Sequence, residues 1–147
     1  MAKKRAIGLA ADFGGDELKL SIIPWLKKQG YKVQDLGTSV NYPDIAYKSM
    51  SVLKSGKIDL AVIICRAGTG MSMCANRYPS IRAALLYSSH AARLAREHQD
   101  ANVAVLAADA FWGWRNKMFL KAFLTTEFSG KTRHKRRIAM LAKPPKI

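Results

Sequence analysis

Residues 60–77, LAVIICRAGTGMSMCANR, begin with six residues that carry no charge and turn abruptly to glycine, threonine and serine. A run as short and apolar as Leu60 to Cys65 fits a strand buried on both faces, the kind found in parallel sheets. The glycines at 68 and 70 cannot extend that strand, so Cys65 stands where it gives way to a loop and then to a short helix, expected from Ser72 to Tyr78. Both chain neighbours of this unit repeat the pattern.

Upstream, Arg5 to Ala11 reads as a first buried strand, and Asp16 to Gln29 as a helix containing Leu18, Leu20, Ile22, Ile23 and Leu26, which Pro24 should kink or shorten. Gly30 stops it. Tyr31 to Leu36 alternates as a second strand, residues 37–43 form a loop, and Asp44 to Leu53 a second helix. Downstream come a strand from Arg82 to Leu86, a helix from Ser89 to Glu97 with Ser89 as its cap, a strand from Ala101 to Ala107, and a helix from Trp114 to Thr125. Five strands separated by helical crossovers predict an α/β fold: a single doubly wound, Rossmann-like three-layer domain with a five-stranded parallel sheet. No internal repeat interrupts residues 1–147, and a basic C-terminal extension starts near residue 131. Ligands of such folds sit beyond the carboxyl ends of the strands, which directs attention to Asp12, to Cys65 and to the loops after strands four and five.

Composition narrows the functional classes. With 49% apolar and 24% charged residues, the chain has the material for a packed core. Its two cysteines, Cys65 and Cys74, form no CxxC pair or zinc-spaced cluster, so neither a disulfide framework nor a metal site is expected, and a reducing compartment is. The first residues briefly imitate a signal peptide before Asp12 breaks the apolar segment, and no run reaches membrane-spanning length. A cytoplasmic protein that engages no membrane is expected. The net charge of +15 bears on partners, either nucleic acid or an anionic small molecule, or it marks only a solvated face.

Several residues have the chemistry of a site. Asp12-Phe13-Gly-Gly15 follows the first strand directly, a carboxylate beside a turn that leaves backbone N–H groups near a helix start. The sequence lacks a GxGxxG fingerprint. Residues Arg66, Ala67, Gly68, Thr69 and Gly70 can present successive N–H groups to an anion or an oxyanion and favour a thiolate at Cys65. A cysteine at the end of a buried strand is equally at home as packing, and these residues alone leave both readings open. His98 is expected to project toward the rim that holds Asp12 and Cys65, supplying a proton-transfer group. Arg133 and Arg137, four apart, share a face if helical and could clamp a phosphate.

These landmarks occur in an order that resembles the ribose-5-phosphate isomerase B and galactose-6-phosphate isomerase family. They are Asp12; Tyr42-Pro43-Asp44; Cys65 with its glycine-rich loop; Ser72, Asn76 and Arg77; Ile81-Arg-Ala83; His98 before Asn102-Val103; and Gly130 before Arg133-His134 and Arg137. The resemblance covers nearly the whole chain. It implies an aldose–ketose isomerase that needs no metal or organic cofactor, acts on a sugar phosphate (ribose 5-phosphate first among them), and works as a homodimer or homotetramer with sites at subunit contacts. By position it implies Cys65 as the base that moves a proton between C1 and C2, with His98 and Asp12 opening the ring and shuttling hydroxyl protons. It further implies an oxyanion cradle at Arg66 to Gly70, phosphate ligands at Arg133 and Arg137, and substrate contacts from Tyr42, Asn76 and Gln99.

The departures fall on recognition. Phe13 stands where the family usually has His, Arg66 and Ala67 where it has Gly and then Thr or Ser, and Gln99 where Asn is common. Residues 109–113 replace a segment that often supplies a phosphate-binding Arg, so Arg66 or Arg115 is expected to take over lost phosphate contacts. Two other functions compete: a drifted, non-catalytic sugar-phosphate-binding subunit, and a nucleic-acid-binding protein using the basic tail. The sequence has no helix-turn-helix, RNP or zinc-finger pattern, which makes nucleic acid the less expected partner.

Overall fold

The structure, a computed structural model, describes residues 5–147; the leader-like residues 1–4 lie outside it. Strand β1 (Ala6–Asp12) is flanked by β2 (Lys32–Ser39) and β3 (Leu60–Cys65), and the sheet continues through β5 (Val103–Ala107) to β4 (Ala83–Leu85) at its far edge. Every neighbouring pair is parallel. The expected α/β doubly wound sheet is therefore present, with strand order β2-β1-β3-β5-β4. β3 and β5 are buried along their whole length, as an apolar run with helices on both faces must be.

Alternation of side chains divides the core in two. Leu9, Ala11, Val62 and Ile64 face one layer, against α1 (Asp16–Lys28), α4 (Ser89–Gln99) and α5 (Gly113–Thr125). Ala10, Ile63 and Cys65 face the other, against α2 (Tyr42–Lys54) and α3 (Thr69–Ala75). A last helix, α6 (Thr132–Leu141), packs on α4. Among the described residues no helix is long and apolar enough to cross a membrane.

Several boundaries differ from the sequence reading for identifiable reasons. α1 runs through Pro24 without ending, because the carbonyl deprived of its donor belongs to Leu20, whose residue is 58% exposed and faces water. Of its apolar residues only Leu18, Ile22 and Leu26, spaced by four, are buried, with the Lys19 side chain buried beside them. β2 extends to Ser39 because an irregularity between Leu9 and Ala10 lets Gly37, Thr38 and Ser39 keep pairing with β1. α3 starts at Thr69 rather than Ser72, and the cap of α4 is Ser88, whose hydroxyl accepts from Ala91 N–H at 3.0 Å, rather than Ser89.

Candidate active site

The strand order reverses direction between β1 and β3, and Asp12 and Cys65 end those two strands. They stand one step beyond the last paired residues, Ala11 and Ile64, so their backbones are about 5 Å apart. Period-two alternation also sends both side chains to the α2–α3 side. Cys65 is 6% exposed. The Gly68 N–H donates to its Sγ at 3.1 Å.

That contact depends on a glycine. Gly68 has φ +79°, a conformation L side chains rarely adopt, and a Cβ there would press on Leu85 Cδ1, so any substitution strains the turn. Asp12 holds its own turn: Oδ1 accepts from Gly15 N–H at 2.9 Å, while Gly14 and Gly15 let the chain pass against Arg66 Cγ and the Ile64 carbonyl. Tyr42, at the start of α2, lays its ring on Gly70, where an added Cβ would meet Cε2 at 2.8 Å. Phe13, Arg66, Ala67 and Thr69 are exposed around the same mouth. Asp12, Phe13, Tyr42, Cys65 and residues 66–70 thus share one rim.

Arg66 does not stand free on that rim. Its guanidinium donates to Asp109 Oδ2 at 2.9 Å, and the Asp109 N–H donates back to the Arg66 carbonyl at 3.0 Å. The hydrogen bond and charge of Asp109 hold the Arg66 guanidinium above its ordinary basicity. With Asp12, Asp109 gives this rim a second carboxylate beside the Arg66 guanidinium. Arg115 stacks on Trp114 at 5.4 Å and lines a shallow cavity with Asp109, Phe111 and Trp112.

The remaining expected residues lie elsewhere. α4 leads into the amino end of β5, so His98 and Gln99 sit at the edge of the sheet opposite Cys65, one strand length or roughly 15 Å away. The expectation that His98 projects toward the Cys65 rim is therefore corrected by chain direction: a helix that precedes a parallel strand must end at that strand's amino edge. Arg82 fixes this edge, its Nε donating to the carbonyls of Gln99 (2.8 Å) and Asp100 (3.0 Å). Arg133 and Arg137 are exposed on α6, which packs against α4 at the His98 end. A cavity of about 510 Å³ is lined there by His98, Gln99, His134, Arg137 and the apolar Ile138 and Leu141.

Asn76 ties α3 to β4. Its Nδ2 donates to the Ala83 carbonyl at 3.0 Å and its Oδ1 accepts from Ala83 N–H at 2.9 Å, closing the α3–β4 connection like one rung of sheet. Asn76→Ala is expected to cost about 1–3 kcal/mol of stability by orphaning both backbone groups, read as a lower midpoint in urea, with little change in KM of the folded protein.

Sequence reasoning missed two contacts here. The Arg66–Asp109 pair joins residues 43 apart, and the stacking of His98 on His134, with ring centroids 4.2 Å apart, joins residues from different helices. No spacing rule exposes either, although Gly130 (φ +64°) marks the turn that brings α6 back onto α4.

Comparison with known proteins sharpens this geometry. A family model described as Ribose/Galactose Isomerase matches residues 7–141. A ribose 5-phosphate isomerase from Thermotoga maritima has a solved structure that superposes with a TM-score of 0.92 at 38% identity, covering 96% of this chain and 99% of that one. Ribose-5-Phosphate Isomerase B from Clostridium thermocellum gives 0.91 at 39% identity, covering 94% and 95%. A D-erythrulose-4-phosphate isomerase of Pectobacterium atrosepticum is 32% identical over 130 residues, 85% of this chain and 86% of its own length.

Proposed function

Because the chain belongs to the ribose/galactose isomerase family, we propose that it is a cofactor-independent isomerase of a sugar phosphate, ribose 5-phosphate and ribulose 5-phosphate being the first pair to test, with the Cys65 thiolate as its base. The observation that carries this reading is the pairing of Asp12 and Cys65 at the strand-order reversal, with the Gly68 N–H aimed at the sulfur. That N–H fixes the sulfur at the mouth of the glycine loop, where a base facing the substrate must stand.

The reaction balances on these groups and solvent. His98 gives a proton to the ring oxygen while Asp12 takes the anomeric hydroxyl proton, so the C1–ring-oxygen bond breaks as the C1 carbonyl forms. That proton returns from Asp12 to His98 through solvent before the next turnover, and the open-chain aldehyde lies across the mouth of residues 66–70. Cys65 Sγ takes the proton from C2, the electron pair forms the C1–C2 double bond, and the carbonyl oxygen becomes an enediolate oxygen near the loop N–H groups. Proton transfer between O1 and O2 is the work of Asp12. The thiol then returns its proton to C1, leaving the ketose.

Charge assigns the ends of the substrate. The Arg66 guanidinium on the rim is already paired with Asp109, whereas Lys131, Arg133, Lys135, Arg136 and Arg137 crowd the start of α6. The phosphate is therefore assigned to the α6 end, with Arg133 and Arg137 as ligands, and the reacting carbons to the Cys65 end. One chain holds these ends too far apart for a single sugar. We assign the complete site to a symmetric pair of chains, the rim of each facing the α4–α6 end of the other, which yields two identical sites. Phe13, 68% exposed on the rim, then meets a partner rather than water.

The test is proton exchange. In D2O the protein should convert ribose 5-phosphate to ribulose 5-phosphate with deuterium entering at C1, followed by NMR, and a panel of tetrose and hexose phosphates ranks the alternatives. Binding of these sugars without exchange at C1 or C2 would reject the isomerase assignment in favour of a binding protein.

A further inference from the structure

The buried imidazole beneath His98 has a function of its own. On α6, Arg133, Lys135, Arg136 and Arg137 are exposed while His134 is 2% exposed. A buried ring on so basic a helix must have both nitrogens partnered. Nδ1 lies 2.6 Å from Ser129 Oγ, and Nε2 receives the Arg133 Nε–H at 3.3 Å.

These partners determine where the proton is. A guanidinium nitrogen only donates, so Nε2 must offer its lone pair, and the ring proton of the neutral form stands on Nδ1, donated to Ser129 Oγ. Ser129 is fixed in turn: its N–H donates to the Glu97 carbonyl at 3.0 Å, and its Oγ also accepts from Lys131 N–H at 3.3 Å. Ser129 therefore ties the end of α4 to the start of α6. One face of His134 lies against His98, with ring planes inclined by 35°, while His98 Nε2 stands 3.8 Å from Glu97 Oε1.

We propose that His134 is a positioning residue, held as the Nδ1–H tautomer, that orients His98 through ring stacking and Arg133 through its Nε2 lone pair, so that the proton-transfer and phosphate-binding groups move as one unit. The proposal rests on the functional assignment of His98 and Arg133 above. Protonation of Nε2 would remove the acceptor that holds Arg133. The surroundings oppose it: burial foremost, then His98 from α4 and Arg133, Lys131 and Arg137 around α6, hold the His134 imidazole below its ordinary value of 6.5, with Glu97 the carboxylate on the facing helix end.

Two measurements on the full-length protein test it. Long-range proton–nitrogen NMR, with His134 assigned by its absence from His134→Asn, should show Nδ1 protonated and Nε2 bare at pH 7. A protonated Nε2 would overturn the proposal whatever the activity. Kinetically, His134→Asn keeps a donor for Ser129 and loses the acceptor for Arg133. It should raise KM for the phosphorylated sugar about tenfold, the loss of one charge-assisted hydrogen bond.

Arg133→Ala should raise KM at least as far, and the double variant should add nothing to it. His134→Gln, whose carbonyl oxygen can reach Arg133, should recover most of the KM. Unchanged KM and kcat in His134→Asn, in an enzyme whose wild type turns over, would reject the positioning function. A wild type that turns over no sugar phosphate rejects the functional assignment instead, and the His134 tautomer is then judged by NMR alone.

Discussion

Cys65→Ser is expected to lower kcat by about 10³-fold while the melting temperature stays within a few degrees of wild type. Serine keeps the shape of the side chain and an acceptor for the Gly68 N–H, which donates to sulfur at 3.1 Å. What it loses is acidity: an alcohol supplies almost no anion at neutral pH, whereas a thiol supplies a useful fraction. Alanine should give the same kinetic loss with a further cost of about 1–2 kcal/mol, because the Gly68 N–H, buried with Leu85 against it, is then left without a partner. The two variants separate chemistry from packing. If Cys65 only filled space at the end of β3, serine would be the poorer substitute in stability and nearly normal in rate. Wild-type-like kcat in either variant, measured by conversion of ribose 5-phosphate, would eliminate the thiol as base.

The five parallel strands and the helical layers on both faces were legible in the sequence because they rest on runs such as Leu60–Cys65, where burial on both faces leaves no polar side chain to obscure the strand, whereas the order of the strands emerges only from the folded sheet. The rim half of the site was legible for the same reason: Asp12 and Cys65 are the residues at which buried strands stop. The boundary of β2 was not, because its last three residues pair with β1 only after the register steps past Leu36, which is left unpaired between Asp35 and Gly37, and no local propensity of Gly37-Thr38-Ser39 announces that step. His98 was expected on the Cys65 rim and lies at the opposite edge, because α4 runs into the amino end of β5 and so must end there. Asn76 matched a motif, and one donor and one acceptor of its amide bond Ala83. Its structural use becomes visible only when the α3–β4 turn is built.

An equimolar mixture of Cys65→Ala and His98→Asn chains, each nearly inactive alone, is expected to recover about a quarter of wild-type activity after co-refolding or co-expression. The figure follows from symmetry. If each site takes its rim from one chain and its α4–α6 end from the other, random pairing makes half of the pairs mixed. In a mixed pair one site joins the two damaged halves while the other joins an intact Cys65 rim to an intact His98, and only the latter works. The roughly 15 Å along β5 that separates the two halves within one chain requires this arrangement if both residues act on one sugar. Arg133→Ala in place of His98→Asn should complement Cys65→Ala in the same way, because Arg133 lies on the α6 side of the division. By contrast, Asp12→Asn mixed with Cys65→Ala should recover nothing beyond the separate chains, since both changes damage the same rim and no pairing restores it. No recovery in the first two mixtures, from pairs shown by mass spectrometry to be mixed, would place the whole reaction within a single chain and overturn the two-chain site; recovery in the last would show that Asp12 and Cys65 act from different chains and overturn the shared rim.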